Sequence, residues 1–315
     1  MPLFADTPDP WLTLLQYTIL GLTKGSLFAL IALGYTMVYG IVELINFAHG
    51  DLFMLGSFVA LTILGLVGVE KAGDPFKDAA FVVACFAAAI LFCAALNVAV
   101  DRVIYRPLRN APKLAPLVSA IGVSFIFMNV GLFWGGPQDV NFPNLLPDAN
   151  LFGETAKIRF TAKDLMVIGV TVPLMLALTV FVKFTSLGTA MRATAQNPVA
   201  AQLMGINTET VIATTFAIGG ALAGAASVTY GLYVNTISYQ IGFQNGLYAF
   251  TAAVLGGIGN IPGAVLGALV IGLVQSFGSV LIGEKWTSAM VFVILIVMLV
   301  FRPTGLLGSR TREKV

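Results

Sequence analysis

Apolar residues run along this chain in long blocks separated by short polar stretches. The blocks fall at about 11 to 36, 51 to 68, 79 to 100, 114 to 134, 164 to 183, 210 to 234, 245 to 259, 262 to 281 and 286 to 301. A hydrocarbon layer of about 30 Å takes roughly 20 helical residues to cross, so these blocks read as membrane-spanning helices. Nine crossings put the two chain ends on opposite sides. If the short 245 to 259 block is re-entrant, eight remain and the ends share a side. The predicted fold is all-α: one polytopic transmembrane domain over residues 1 to 315, with about 8 to 9 spanning helices.

Composition agrees with the pattern. Of 315 residues, 58% are hydrophobic and 10% charged, with a mean hydropathy of +0.92. A soluble domain carries roughly a quarter charged residues. The net charge of +2 gives no electrostatic support for nucleic-acid binding. The opening "MPLFADTPDP" has two aspartates and no Lys or Arg, so it lacks the basic region of a cleavable signal, and the first apolar block is expected to stay. Cys85 and Cys93 fall within one apolar block and read as small buried hydrophobes, not as a disulfide or metal pair.

Charge placement orients the helices. Basic residues gather in 101 to 113, in 183 to 198 and in 301 to 315, which the positive-inside rule assigns to the cytoplasm. Segments 69 to 78, 135 to 164 and 282 to 286 mix acids with bases and fit the outer side, the 135 to 164 stretch being a periplasmic loop. Gly and Ala recur every three or four residues in "IGGALAGAAS" (218 to 227) and "GAVLGALVIGL" (263 to 273). In lipid such faces let backbones approach closely, so a bundle with little large-side-chain filling is expected.

Two places break an apolar block with turn formers. In "GIVELINFAHGD" (40 to 51) lie Glu43, Asn46, His49, the only histidine, and Asp51; in "LGGIGNIPG" (255 to 263) lie Gly256, Gly257, Gly259, Asn260 and Pro262. Irregular backbone at membrane depth needs protein or a wet cavity around it, and paired broken helices point to a transport site. If 43 to 50 is helical, Glu43, Asn46 and His49 share one face, which would line a pathway. The other reading is a hydrogen-bonded knot that pins the break, or a loop that reaches the cytoplasmic surface. Lys24, near the middle of the first span, either snorkels or faces the cavity.

The polar stretch 184 to 209 holds a helix with clear end signals: Asn197 as N-cap, Pro198 in the first turn and Gly205 as the stop. Val199, Leu203 and Met204 then form an apolar knob with no evident core to enter. It either docks on a partner or folds back on the bundle floor. The chain has no phosphate-binding "GxxxxGK[ST]", so any ATP must bind a partner; "GGIGNIPG" fails as a dinucleotide fingerprint at Pro262. A lone histidine without a nearby second metal ligand or nucleophile argues against an embedded enzyme.

The blocks "ALIALGYTMVYGIVELINFAHGDLFMLGSF" (29 to 58), "LVSAIGVSF" (117 to 125), "LGTAMRATAQNPVAAQLMGINTETVIATTFAIGGALAGAA" (187 to 226), "AFTAAVLGGIGNIPGAVLGALVIGL" (249 to 273) and "RPTGLLG" (302 to 308) resemble, in order, permease subunits of branched-chain amino acid ABC importers of the LivH type. The resemblance implies a bacterial inner-membrane importer. Its parts would be a second, homologous permease subunit forming a heterodimer, two cytoplasmic ATP-binding subunits and a periplasmic substrate-binding protein. ATP and Mg would sit on the partners, and no cofactor or metal on this chain. Leucine, isoleucine or valine would cross by alternating access. The 184 to 209 stretch would be the coupling loop, with Arg192, Asn197, Pro198, Val199, Ala201, Leu203, Met204 and Gly205 in the segment facing an ATPase. The related importers that carry amides, urea or other neutral amino acids remain an alternative, as does an ion-coupled secondary transporter.

Overall fold

The computed structural model describes residues 9–68, 75–109, 111–112, 114–153 and 157–308. The expectations placed on the first eight residues, on loop 69–74, on Lys113 and on the basic residues beyond 308 lie outside the described residues. The long helices are α1 (Pro10–Val42), α2 (Ala48–Val67), α3 (Pro75–Val100), α5 (Leu114–Gly135), α6 (Ala162–Phe184), α9 (Thr208–Val234), α11 (Ile261–Leu281) and α12 (Glu284–Phe301). Short ones are α4 (Arg106–Leu108), α7 (Ser186–Gln196), α8 (Pro198–Leu203) and α10 (Ile241–Gly256). Among the described residues eight helices are long and apolar enough to cross a membrane, α3 counting together with the turns that follow it.

The contacts order the two ends of the bundle. At one end, β1 (Val140–Asn141) pairs antiparallel with β2 (Thr236–Ile237), and Gln16 bonds both the N–H and the carbonyl of Arg159. At the other, Arg106 and Arg109 hold Glu209 at 2.8 and 2.6 Å, and Arg109 also holds Asp101 at 2.7 Å. This second end carries the basic residues of 101 to 109, which the charge pattern predicts to face the cytoplasm. Helix α10, at 16 residues, carries the chain from the β-ribbon end to Gly305 and Gly308. It is not among the eight helices long enough to cross a membrane, and Asp9, the start of the described chain, lies at the β-ribbon end beside Lys157.

Small residues set the closest helix contacts. A Cβ on Gly272 of α11 would lie 2.3 Å from the carbonyl oxygen of Gly21 and from the amide of Gly25 on α1, so only glycine permits this approach. The expectation of little large-side-chain filling needs correction. Phe53, Phe58, Phe142, Phe216 and Tyr105 are all fully buried. Phe58 packs on Gly131 and Gly135 of α5, Phe142 on Gly231 of α9, and Tyr105 on Phe216, so glycines here make room for rings as well as for backbone. Cys85 and Cys93 are free and buried, facing the carbonyls of Ala60 and Leu52 on α2, as small hydrophobes would.

Two further differences concern local structure. Stretch 184 to 209 holds a second helix before the expected one: α7 is capped by Thr185, whose hydroxyl accepts from the Gly188 amide at 3.0 Å, and buries Gly188, Met191 and Thr194. Its mostly polar sequence hides that narrow buried stripe. At the end of α3, residues Asp101–Tyr105 form a π-helical turn. The extra residue in this turn rotates the Tyr105 ring into the core.

Candidate functional site

The two breaks meet. Glu43 caps α1 in the left-handed conformation (φ 55°), its N–H bonding the Tyr39 carbonyl at 2.9 Å, and the chain then runs without helix to Phe47 before α2 begins. On the other side, α10 stops at Gly256 and α11 restarts at Ile261. A Cβ on Gly40 would lie 3.0 Å from Gly259 Cα, so the two interrupted segments touch backbone to backbone. Between them lies a narrow crevice, with room for about one water, lined by Tyr35, Tyr39, Ile45, Asn46, Phe250, Ala253 and Ile258.

Glu43, Asn46 and His49 do not share a face, because residues 43 to 46 are not helical. Glu43 is exposed. Asn46 is buried and reaches the cleft wall; its Nδ2 donates to Asn97 Oδ1 at 3.1 Å and its Oδ1 accepts from the Tyr105 hydroxyl at 3.2 Å. Asn97 in turn donates to the Phe216 carbonyl at 2.7 Å. This chain of amides pins the break eight residues, about 12 Å, inside the start of α9. The hydrogen-bonded knot describes Asn46 well, although one amide proton and one lone pair remain for a neighbour.

His49 sits behind the cleft, edge-on to Tyr35 with ring centroids 4.8 Å apart. The Ile31 carbonyl faces its ring, but neither ring nitrogen meets hydrogen-bond geometry. Asp51 is buried at the start of α2, its Oδ2 accepting from the Ser124 hydroxyl of α5. Neither side chain lines the cleft. Lys24 lies much further out along α1, part-exposed.

The second break is held by the segment after α12. The amides of Leu306 and Leu307 donate to the carbonyls of Leu255 and Gly256 at 2.8 and 3.0 Å, closing the end of α10. Gly257 (φ 106°) passes so near Gly308 that a Cβ would lie 2.5 Å from its amide nitrogen. Asn260 caps α11 by accepting from Gly263 at 3.1 Å and donates to the Leu307 carbonyl at 2.8 Å, with Pro262 in the first turn. Gly256, Gly257, Gly259 and Asn260 thus shape the wall, while Ile258 between them is the residue that enters the cleft.

The wall is two phenols, one phenylalanine, aliphatic side chains and one amide. That lining is mostly apolar, but in this arrangement the crevice is closed to anything larger than about one water, and the breaks would have to part before a solute entered. Sequence reasoning does not single out Tyr35, Tyr39 and Phe250. The signal available is the tyrosine pair four residues apart in "YTMVY", just before the break.

Helix α8 follows its end signals closely. Asn197 Oδ1 accepts from the amides of Val199 and Ala200 at 3.1 and 3.0 Å, Pro198 opens α8, and Gly205 turns away with φ 84°. Leu203 and Met204 stand 84% and 83% exposed and Val199 65%, so the apolar knob does not fold back on the bundle. Ala201 is buried beneath it. Arg192 is exposed, and its guanidinium bonds the Val182 and Lys183 carbonyls, tying α7 to the end of α6.

A family model described as branched-chain amino acid transport system / permease component matches residues 17–300. The chain is 43% identical over 306 residues to the high-affinity branched-chain amino acid transport system permease protein BraD of Pseudomonas aeruginosa, covering 96% of this chain and 98% of the relative. It is 41% identical to LivH of Salmonella typhimurium, covering 98% and 99%, and 28% identical to a probable LivH of Methanocaldococcus jannaschii, covering 90% and 89%. No solved structure matches it. With a family model over most of its length and full-length relatives above two-fifths identity, the chain belongs to the permease-component family of branched-chain amino acid transport systems.

Proposed function

We propose that the chain is one of two unlike permease subunits of an ATP-driven importer for leucine, isoleucine and valine in the bacterial inner membrane. Two cytoplasmic ATPases and a periplasmic binding protein complete the machine. The relatives' names support the solute class. The observation that carries the ATP-driven reading is α8: an apolar knob held out of the cytoplasmic end on a short helix capped by Asn197 and ended at Gly205. A self-sufficient carrier has no use for such a lever, whereas a partner ATPase supplies the surface that would cover it.

In this reading the breaks part, the crevice between them takes the solute's aliphatic side chain, and helix ends at the breaks offer backbone dipoles to its charged groups. Closure of the ATPases pushes α8, α7 moves with it, and Arg192 passes the motion to α6. Helices in contact through glycine move as rigid pieces between two arrangements. No reaction chemistry falls to this chain.

The test is purification with the natural partners and a survey of amino acids that stimulate ATP hydrolysis. Leucine, isoleucine and valine are expected to stimulate, and Leu203→Asp with Met204→Asp to abolish the stimulation. Uptake by the chain alone, without a nucleotide-hydrolysing companion, would withdraw the proposal.

A further inference from the structure

Lys24 has a position that the cleft does not use. Gly25 lies against Ala268 and Leu269 of α11, and the carbonyl of Ser26 accepts from Thr171 of α6 at 3.2 Å. These contacts fall on the central turns of α11 (Ile261–Leu281) and α6 (Ala162–Phe184). The nearer ends of those helices are seven and nine residues away, about 10 and 14 Å along the axis, beyond the reach of a four-carbon stem, so the ammonium cannot snorkel to the headgroups. The side chain is part-exposed, and among the described residues nothing accepts its protons or pairs its charge. Facing acyl chains, it would cost about 2.5–3.5 kcal/mol on an insertion scale, with nothing among the described residues to offset that cost.

A face of this kind is wet or covered in the assembled permease. We propose that Lys24 lines the solute path at the seam with the second permease subunit and holds the carboxylate of the passing amino acid. The proposal rests on the function argued above and adds a second station to it. Lys24 and Tyr35 are eleven residues apart on α1, about 16 Å, too far for one amino acid to touch both. The solute therefore meets the cation in the outer half and reaches the aromatic cleft later. A cation without a fixed acid beside it suits a transient anion, because a permanent partner carboxylate would hold the charge when the solute is gone.

The experiment uses the full complex in proteoliposomes with Lys24→Met, Lys24→Arg and Lys24→Cys. The methionine variant is expected to assemble and to raise KM for leucine by at least about tenfold, the size of losing a charge-assisted hydrogen bond, with arginine restoring most of it. The Lys24→Cys variant is expected to react with a charged, water-soluble methanethiosulfonate and to be protected by leucine; Cys85 and Cys93 are buried and add little background. An unchanged KM in Lys24→Met overturns the proposal. So does a Lys24→Cys variant that reacts only with lipid-permeant maleimide, since the face then meets lipid or a dry helix seam. If wild type moves no branched-chain amino acid, the functional reading fails by itself, and the labelling still decides whether position 24 lines water.

Discussion

The Tyr105 hydroxyl meets Asn46 from across the bundle, 3.2 Å from its Oδ1, although 59 residues separate them in the chain. Asn97 holds the same amide from its nitrogen side at 3.1 Å. A polar residue at a helix break is thus clamped from two directions, and the clamp belongs to one helix, α3, with its π-helical end. The break is positioned by a neighbour, and its own sequence does not fix where it stops.

Asn46→Ala should break both bonds at once, leaving Asn97 Oδ1 unpaired and the Tyr105 hydroxyl with only the long bond to the Ile45 carbonyl. A loss of about 1–3 kcal/mol is expected, read as a lower unfolding midpoint of the purified complex. Lost uptake with an unchanged midpoint would instead assign Asn46 to solute contact.

Asn197→Ala should weaken α8 by about 1 kcal/mol, the usual worth of an N-cap side chain. Substrate-stimulated ATP hydrolysis should fall while the bundle melts as before. Asn197→Asp, which keeps the acceptor, should restore most of the stimulation.

Gly257→Ala should be far more damaging than its size suggests. The backbone there has φ 106°, and the added methyl would lie 2.5 Å from the Gly308 amide. The conformation alone costs a side chain about 1–3 kcal/mol. The expected result is little assembled complex at normal expression temperature, measured by co-purification of the partners.

Asp148, in the outer loop, takes a hydrogen bond from Lys163 at 2.7 Å, and this holds its carboxyl below the ordinary carboxylate range. A depressed folded-state value means the pair stabilises the fold above the unfolded carboxyl's value of about 4, and that contribution is lost as pH falls through the folded value. Stability curves of wild type and Asp148→Asn should therefore converge toward acid pH and separate toward neutral. Parallel curves over that range would remove the linkage.

The sequence carries what is local. Asn197, Pro198 and Gly205 describe a short helix through its own backbone needs, and all three act as their residue types predict. The second break is legible for the same reason, since Gly257, Gly259 and Pro262 interrupt an apolar run whatever surrounds them; the first, Glu43 to Phe47, holds neither residue type and shows only through its polar side chains. The shared face expected of Glu43, Asn46 and His49 does not form because Glu43 adopts a left-handed conformation, uncommon for its type, and stops the helix that would have aligned them. Asn97 as the partner of Asn46, and the meeting of Gly40 with Gly259, depend on how distant helices pack. No short window of sequence holds that information. Helix α7 is hard to see in the sequence because its buried side is only three residues wide.

The carbonyls at the end of α10 are closed by Leu306 and Leu307, which leave the ribosome some fifty residues later. Until α12 has been threaded into the lipid, that helix terminus stays raw, and the gap facing Gly40 has no fixed floor. Assembly of the junction between the two breaks therefore finishes from the tail of the chain. A chain stopped at Phe301 would insert every one of its long hydrophobic rods yet lack the stitch that sets the distance between the two interruptions.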